Sequence, residues 1–197
     1  LTNTEMQQIL TKVNMCSSPY DMNKFINGQE VSIKRDNYDD HNNYGKEVYL
    51  KIFDAKEICA GQSRYQIVRQ PKFKAANPLA GDRRGDIMLL INGMPVIHVE
   101  LKRSGVDVSQ ATFQLKRYTH EGIFSSGIFK MVQIFVAMTP EETLYFANPG
   151  AEDRFQPSFY FHWEDFNNTI IYDWKRVATD LLSIPMAHQL VGYYTIA

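Results

Sequence analysis

The chain has 197 residues, 44% hydrophobic and 13% aromatic, which is enough apolar mass to bury one ordinary core. Its net charge of −1 excludes a surface coated throughout in basic side chains for nucleic acid. No run approaches the roughly 18 apolar residues of a membrane span, and the N-terminus lacks the basic-then-apolar pattern of a secretory signal. Cys16 and Cys59 stand apart without CxxC or His neighbours, so neither a zinc site nor a disulfide framework is indicated. One soluble, intracellular domain with two ordinary thiols is expected.

Thr2-Asn3-Thr4-Glu5 reads as a capping box ahead of Met6, Ile9, Leu10 and Val13 at helical spacing. Residues 17–43 are polar, rich in Asn and Asp and punctuated by Pro19 and Gly28, and read as a surface excursion with one helical turn near residues 20–26. Residues 46–54 alternate as a half-buried strand through Val48, Leu50 and Ile52, and residues 64–68 form another short one. Pro71 and Pro78 then frame a loop that carries Lys72, Lys74, Arg83 and Arg84 forward. Between Arg64 and Arg117 ten Lys/Arg stand against four Asp/Glu, so the rest of the chain is acidic. Solvation is the ordinary use of such a cluster; contact with a phosphate backbone is the other.

Residues 85–102, GDIMLLINGMPVIHVELK, organise the remainder. Residues 87–91 are a continuous apolar run, consistent with a strand buried on both faces, and Asn92-Gly93 is a strong hairpin signal. In the return strand, residues 96–102, period-2 alternation puts His98, Glu100 and Lys102 on one face and Ile97, Val99 and Leu101 on the other. Asp86 and Glu100 at the ends of neighbouring strands, with Lys102 beside them, suit a divalent metal and an activated water, which points to phosphodiester hydrolysis. The bland reading is a capping acid and a strand-end ion pair with Lys102.

Register makes a demand on that site. A plain two-residue turn would pair Ile91 with Met94 and leave Asp86 facing Val99, on the opposite sheet face from Glu100. An odd loop, or a bulge in either strand, sets Asp86 directly across from Glu100, and such a slip is expected. His98 reads as a hydrogen-bonded core residue, outside the catalytic set.

Residues 107–122 have helical character, with Asp107 or Ser109 as cap, Phe113 and Leu115 supplying apolar contacts, and Gln110, Gln114 and Tyr118 on one side. Residues 131–138 and 143–147 read as a hairpin. The aromatic run Phe159, Tyr160, Phe161, Trp163 and Phe166 reads as core rather than a base-stacking platform, because basic residues are not interleaved. Residues 173–182 read as a helix with Trp174, Val177, Leu181 and Leu182 inward, and residues 186–196 as a second.

Asp86, then Glu100-Leu101-Lys102, then Gln114-Leu115-Lys116-Arg117-Tyr118 resemble the PD-(D/E)XK nucleases of the branch with a Q-x-x-x-Y motif. With Asn92-Gly93-Met94-Pro95 and Val99 included, the wording is similar to the N-terminal nuclease domain of type I restriction endonuclease R subunits. Gly85 departs from the pattern, since the family commonly has Pro there, and is expected to loosen the entry to the strand.

The resemblance implies an α/β, restriction-endonuclease-like fold with a mixed central sheet flanked by helices. It implies Asp86, Glu100 and the Leu101 backbone carbonyl as ligands of Mg²⁺, for which Mn²⁺ substitutes, and Lys102 as the third catalytic residue. Gln114, Tyr118, Arg84 and Arg117 become supporting or DNA-binding residues. It further implies that residues 1–197 are a single nuclease domain of a longer cytoplasmic prokaryotic protein. That protein would act on double-stranded DNA with methyltransferase (M) and specificity (S) subunits. No P-loop pattern occurs in the chain, so ATP would bind only to motor domains outside it. The alternatives are a non-catalytic DNA-binding or assembly module of the same fold and a DNA repair nuclease.

Overall fold

The computed structural model describes residues 1–28, 30–57, 61, 63–74 and 81–194, so Cys59, Pro78 and the end of the second C-terminal helix lie outside the described residues. The first helix, α1 (Asn3–Met15), starts at the expected capping box: Glu5 N–H donates to Thr2 Oγ1, and Thr2 N–H donates to the Glu5 carboxylate. Glu5 is fully buried and also accepts from Asp36 N–H and pairs with Arg35, which ties the helix to the chain after the first strand.

The segment expected to be a surface excursion keeps residues 35–43 at the surface and has its helix where the turn was expected, but residues 19–34 also feed the core. It contains α2 (Pro19–Ile26), capped by Ser18, and β1 (Glu30–Lys34), which pairs antiparallel with β2 (Glu47–Lys51). Met22, Phe25 and Ile26 bury one helix face, and Val31 and Ile33 one strand face. Five apolar side chains at helical and then strand spacing outweigh the polar composition around them, because burying each contributes about 1.5–3 kcal/mol.

The remaining strands are β3 (Tyr65–Arg69), β4 (Lys72–Phe73), β5 (Arg83–Arg84), β6 (Ile87–Ile91), β7 (Met94–Leu101), β8 (Ile134–Met138) and β9 (Thr143–Ala147). Five of them form the central sheet in the order β3-β6-β7-β8-β9, while β4 and β5 pair with each other. Only β7 and β8 run parallel, and the crossover between them is α3 (Ser109–His120). A parallel pair needs such a crossover, so α3 is carried back across the sheet beside β7 and β8.

The two sheet faces are covered differently. Ile97, Val99, Ile134, Val136 and Met138 pack with Val13, Met22 and Ile26 and with Val177 and Leu181 at α4 (Trp174–Asp180). Met88, Phe135 and Ala137 pack with Ala111, Leu115 and Tyr118 of α3 and with Phe73 and Phe124. A mixed five-stranded sheet flanked by helices is the restriction-endonuclease-like arrangement that the resemblance implies. No helix among the described residues is long and apolar enough to cross a membrane.

Several local expectations need correction. Phe113 points to solvent at 66% exposure, and neither Asp107 nor Ser109 sits at the cap of α3. Val108 holds that position, while Asp107 accepts from Ser109 N–H just outside it. Of the aromatic run, Tyr160 stacks on Phe146 and Trp163 packs against the core, but Phe159, Phe161 and Phe166 are exposed. Trp174 is also largely exposed, because it lies in the first turn of α4 while Val177 and Leu181 take the inward face. The last helix, α5 (Ile184–Gln189), begins earlier than read, with Ser183 as cap, and passes into a π turn over Leu190–Tyr194.

Candidate active site

Asn92 and Gly93 both adopt positive φ, 52° and 81°, the backbone that lets a two-residue turn match the twist of its strands. The turn therefore pairs Ile91 with Met94 and Leu90 with Pro95, but the next pair is Leu89 with Ile97. Val96 is the extra residue of a bulge, and its carbonyl accepts from Gln133 N–H beside β8. From there the register runs to Ile87 opposite Val99, which brings Asp86 across from Glu100. The tight turn and the slip coexist, since the slip arises inside β7.

A closed circuit of hydrogen bonds follows from this register. Leu101 N–H donates to Asp86 Oδ2 at 2.8 Å, fastening the first acid to the end of β7. Lys102 Nζ donates to Glu100 Oε1 at 3.2 Å, to the Leu101 carbonyl at 3.2 Å and to Gln114 Oε1 at 2.7 Å. Gln114 Nε2 donates to Tyr118 Oη at 2.6 Å, and Tyr118 Oη donates to the Arg84 carbonyl at 2.8 Å. Arg84 lies two residues before Asp86, so the circuit returns to its start. Spacing of four on α3 is what stacks Gln114 over Tyr118.

Burial pushes the Tyr118 phenol up from its ordinary value, and the Glu100 and Asp86 carboxylates push it the same way. It therefore stays a hydrogen-bond donor to the Arg84 carbonyl. Glu100 is almost fully buried, and its Oε2 has no hydrogen-bond partner among the described residues.

The basic residues divide into free and committed. Arg83 forms a bidentate pair with Glu121 at 2.9 and 3.0 Å, which holds the Glu121 carboxyl below its usual range and ties β5 to the end of α3. Lys72 and Arg84 face each other across β4 and β5, both exposed. Arg117 is exposed, with its guanidinium 5.8 Å from the Tyr118 ring centroid.

The sequence reading of His98 as a hydrogen-bonded core residue holds, since it is fully buried with Nδ1 3.0 Å from the Ile87 carbonyl, whereas Gly85 was read only as loosening the chain. Gly85 is in fact buried, and its N–H donates to the Pro71 carbonyl at 3.1 Å. A Cβ there would run into His98 Cε1 and lie 2.9 Å from Phe73, so this position is tight rather than loose. The available signal was the shared face of His98, Glu100 and Lys102.

The donors at the end of β7 are oxygens: two carboxylates and the Leu101 carbonyl. Hard divalent cations take such ligands, and Mg²⁺ commonly uses one or two carboxylates with substrate oxygens completing its shell. Among the described residues no group of three or more His, Cys, Asp and Glu side chains is placed to hold a metal, so the carbonyl and the substrate would have to contribute. The unpartnered, buried Glu100 Oε2 and the cationic Lys102 Nζ already drawn onto Glu100 and the Leu101 carbonyl fit that donor set.

A type I restriction enzyme endonuclease subunit of Staphylococcus aureus (strain MSSA476) is 29% identical over 196 residues, covering 100% of this chain and 19% of its own length. A homologous subunit of Staphylococcus saprophyticus is 30% identical over 175 residues, 87% of this chain and 16% of its own. The EcoprrI endonuclease subunit of Escherichia coli is 32% identical over 151 residues, 76% of this chain and 46% of its own. The chain thus spans about a fifth of the length of the S. aureus relative. Residues 3–154 match the family described as type I restriction enzyme R protein N terminus, and the chain belongs to that family.

Proposed function

We propose that this protein is the Mg²⁺-dependent DNA endonuclease module of a type I restriction R subunit. The observation that carries the reading is the circuit joining Asp86, Glu100, Leu101, Lys102, Gln114, Tyr118 and the Arg84 carbonyl at one end of β7. Asp86 and Glu100, with the Leu101 carbonyl, would hold the ion. Once bound, Mg²⁺ supplies Lewis-acid charge that eases deprotonation of water and offsets charge on the scissile phosphate.

The chain's own groups do the rest. All three donor hydrogens of Lys102 have acceptors, two of which belong to the ion's donor set. With the Glu100 and Leu101 oxygens committed to an ion, Lys102 would keep Gln114 and turn its other hydrogens toward the nucleophile or the phosphate, where its fixed positive charge would stabilise the transition state. Gln114 and Tyr118 hold that lysine at a set distance from the backbone leading into Asp86. Lys72 and Arg84 oppose each other on adjacent short strands, a like-charge pair that is unfavourable unless an anion lies over it. With exposed Arg117 they would contact the DNA backbone.

Double-stranded DNA is then the substrate, and the reaction takes place in the prokaryotic cytoplasm. Site choice would fall to M and S subunits, and translocation to a separate ATP-driven motor. Glu100→Ala is expected to reduce cleavage by about 10³-fold or more while DNA binding in a gel-shift assay persists, as loss of a metal-bearing carboxylate in a preorganised site would do. Retained cleavage would sink the assignment. Absence of cleavage in both proteins, with DNA binding intact and no anomalous Mn²⁺ peak at Asp86 and Glu100, would favour the non-catalytic DNA-binding module.

A further inference from the structure

His98 is fully buried on the face of β7 that carries Glu100. Its Nδ1 lies 3.0 Å from the Ile87 carbonyl, and since a carbonyl oxygen only accepts, Nδ1 carries a hydrogen. Its other nitrogen, Nε2, lies 3.5 Å from Glu100 Oε2, and both atoms are buried without a hydrogen-bond partner among the described residues. Buried polar atoms are nearly always partnered, so two that face each other at the edge of a site call for a reason.

The ring has little freedom. Phe73 meets it edge-on with centroids 5.7 Å apart, Phe124 is tilted against it at 5.5 Å, and Tyr118 closes a third side at 6.4 Å. Gly85 fills the last side with bare backbone, because any Cβ there would collide with His98 Cε1. The Nε2 edge is left against Glu100.

We propose that His98 is a positioning residue that fixes the Glu100 carboxylate from behind, and that Gly85 is glycine to make room for its ring. The proposal deepens the reading of Glu100 as a metal-binding carboxylate and rests on it. Glu100 is flanked at both oxygens: Oε1 accepts from Lys102 at 3.2 Å, and Oε2 lies against the His98 ring edge at 3.5 Å, a packing contact that keeps the carboxylate from turning. A carboxylate so flanked keeps one rotamer, which is what an outer-shell partner contributes to a metal ligand. Through Nδ1 the same ring holds Ile87, the residue after Asp86, so one side chain spans both acid-bearing strands.

A ring that merely fills space makes a different prediction from one that positions Glu100. Glutamine fills the place of Nε2 beside the Glu100 carboxylate, whereas asparagine reaches only the Ile87 carbonyl and leaves that place empty. Calorimetric titration of the protein with Mn²⁺ should therefore give an affinity for His98→Gln within about threefold of the parent, while His98→Asn and His98→Ala lose roughly tenfold or more.

Parent-like Mn²⁺ affinity in folded His98→Asn or His98→Ala would overturn the proposal, as would His98→Gln binding as weakly as His98→Asn. Should His98→Ala fail to fold, the Asn and Gln variants carry the comparison. A double-mutant cycle of His98→Asn with Glu100→Gln, read from denaturant midpoints without metal, supplies the independent arm. Coupling between the two changes is expected, and strict additivity would overturn the contact. Coupling in a parent protein that takes up no Mn²⁺ would leave the positioning contact standing and remove the metal reading instead.

Discussion

His188 and His98 are both fully buried, and the two regions around them use the same side chain in different ways. His188, on α5, has Nδ1 2.9 Å from Tyr65 Oη and Nε2 2.8 Å from the Asp54 carbonyl, with its ring 4.4 Å from that of Phe53. It joins the C-terminal helix to β3 and to the segment after β2, and both nitrogens have partners. His98 has a partner for Nδ1 and turns Nε2 toward a carboxylate. Burial is equal, so burial does not tell the two histidines apart. What distinguishes His98 is a nitrogen left short of a hydrogen bond beside Glu100, and such groups collect where a site must stay reactive.

That contrast can be broken or sharpened by substitution. The largest stability effect is expected for His188→Leu, which takes a donor from the Asp54 carbonyl and two polar contacts from a packed region. A loss of about 3 kcal/mol in urea unfolding follows, with Mn²⁺ affinity unchanged. Weakened Mn²⁺ binding at parental stability would erase the distinction.

Gly85→Ala comes next, with a penalty of about 1–3 kcal/mol from overpacking against His98 and Phe73. Part of that penalty should vanish when His98→Ala is present, as measured by the same unfolding experiment on the double variant. Tyr118→Phe removes the hydroxyl between Gln114 and the Arg84 carbonyl, for a loss of about 1–2 kcal/mol. Its cleavage rate should fall more than its stability suggests, because the position of Lys102 depends on Gln114.

The smallest effect concerns acid. Arg83 holds the Glu121 carboxyl below the ordinary glutamate value of 4.5, first by hydrogen bonding and then by charge. A depressed folded value gives stability that is present above pH 4.5 and lost as pH falls through the folded value. Glu121→Gln should flatten this acid limb of the stability curve and leave the region of His98 untouched, which thermal melts across pH would test.

Much of the site was legible from spacing. Alternation along residues 96–102 put His98, Glu100 and Lys102 together, and the four-residue step from Gln114 to Tyr118 gave the stripe that meets Lys102. The demand for a register slip was legible too, but not its place: turn chemistry fixes Asn92-Gly93, and nothing local in the sequence says that Val96 is the residue left unpaired. Within residues 17–43 the helix was legible but β1 was not, because a short element among Asn and Asp carries few apolar residues, and the burial of Val31 and Ile33 depends on partners distant in sequence. The exposed rings of Phe159, Phe161 and Phe166 were assigned to the core for the opposite reason, since apolar character alone does not say what covers a side chain. The commitment of Arg83 to Glu121 and the tight space at Gly85 arise from contacts between separate elements, which a linear pattern does not record.

The bulge at Val96 gives the protein an arithmetic fragility. Val96 is apolar, fully buried and carries no chemistry of its own, yet it supplies the one extra step that puts Asp86 and Glu100 in phase. Deleting it would leave every candidate site residue in the chain and separate the two acids onto opposite sides of the sheet. The count of residues between the acids, as much as their identity, decides whether they meet.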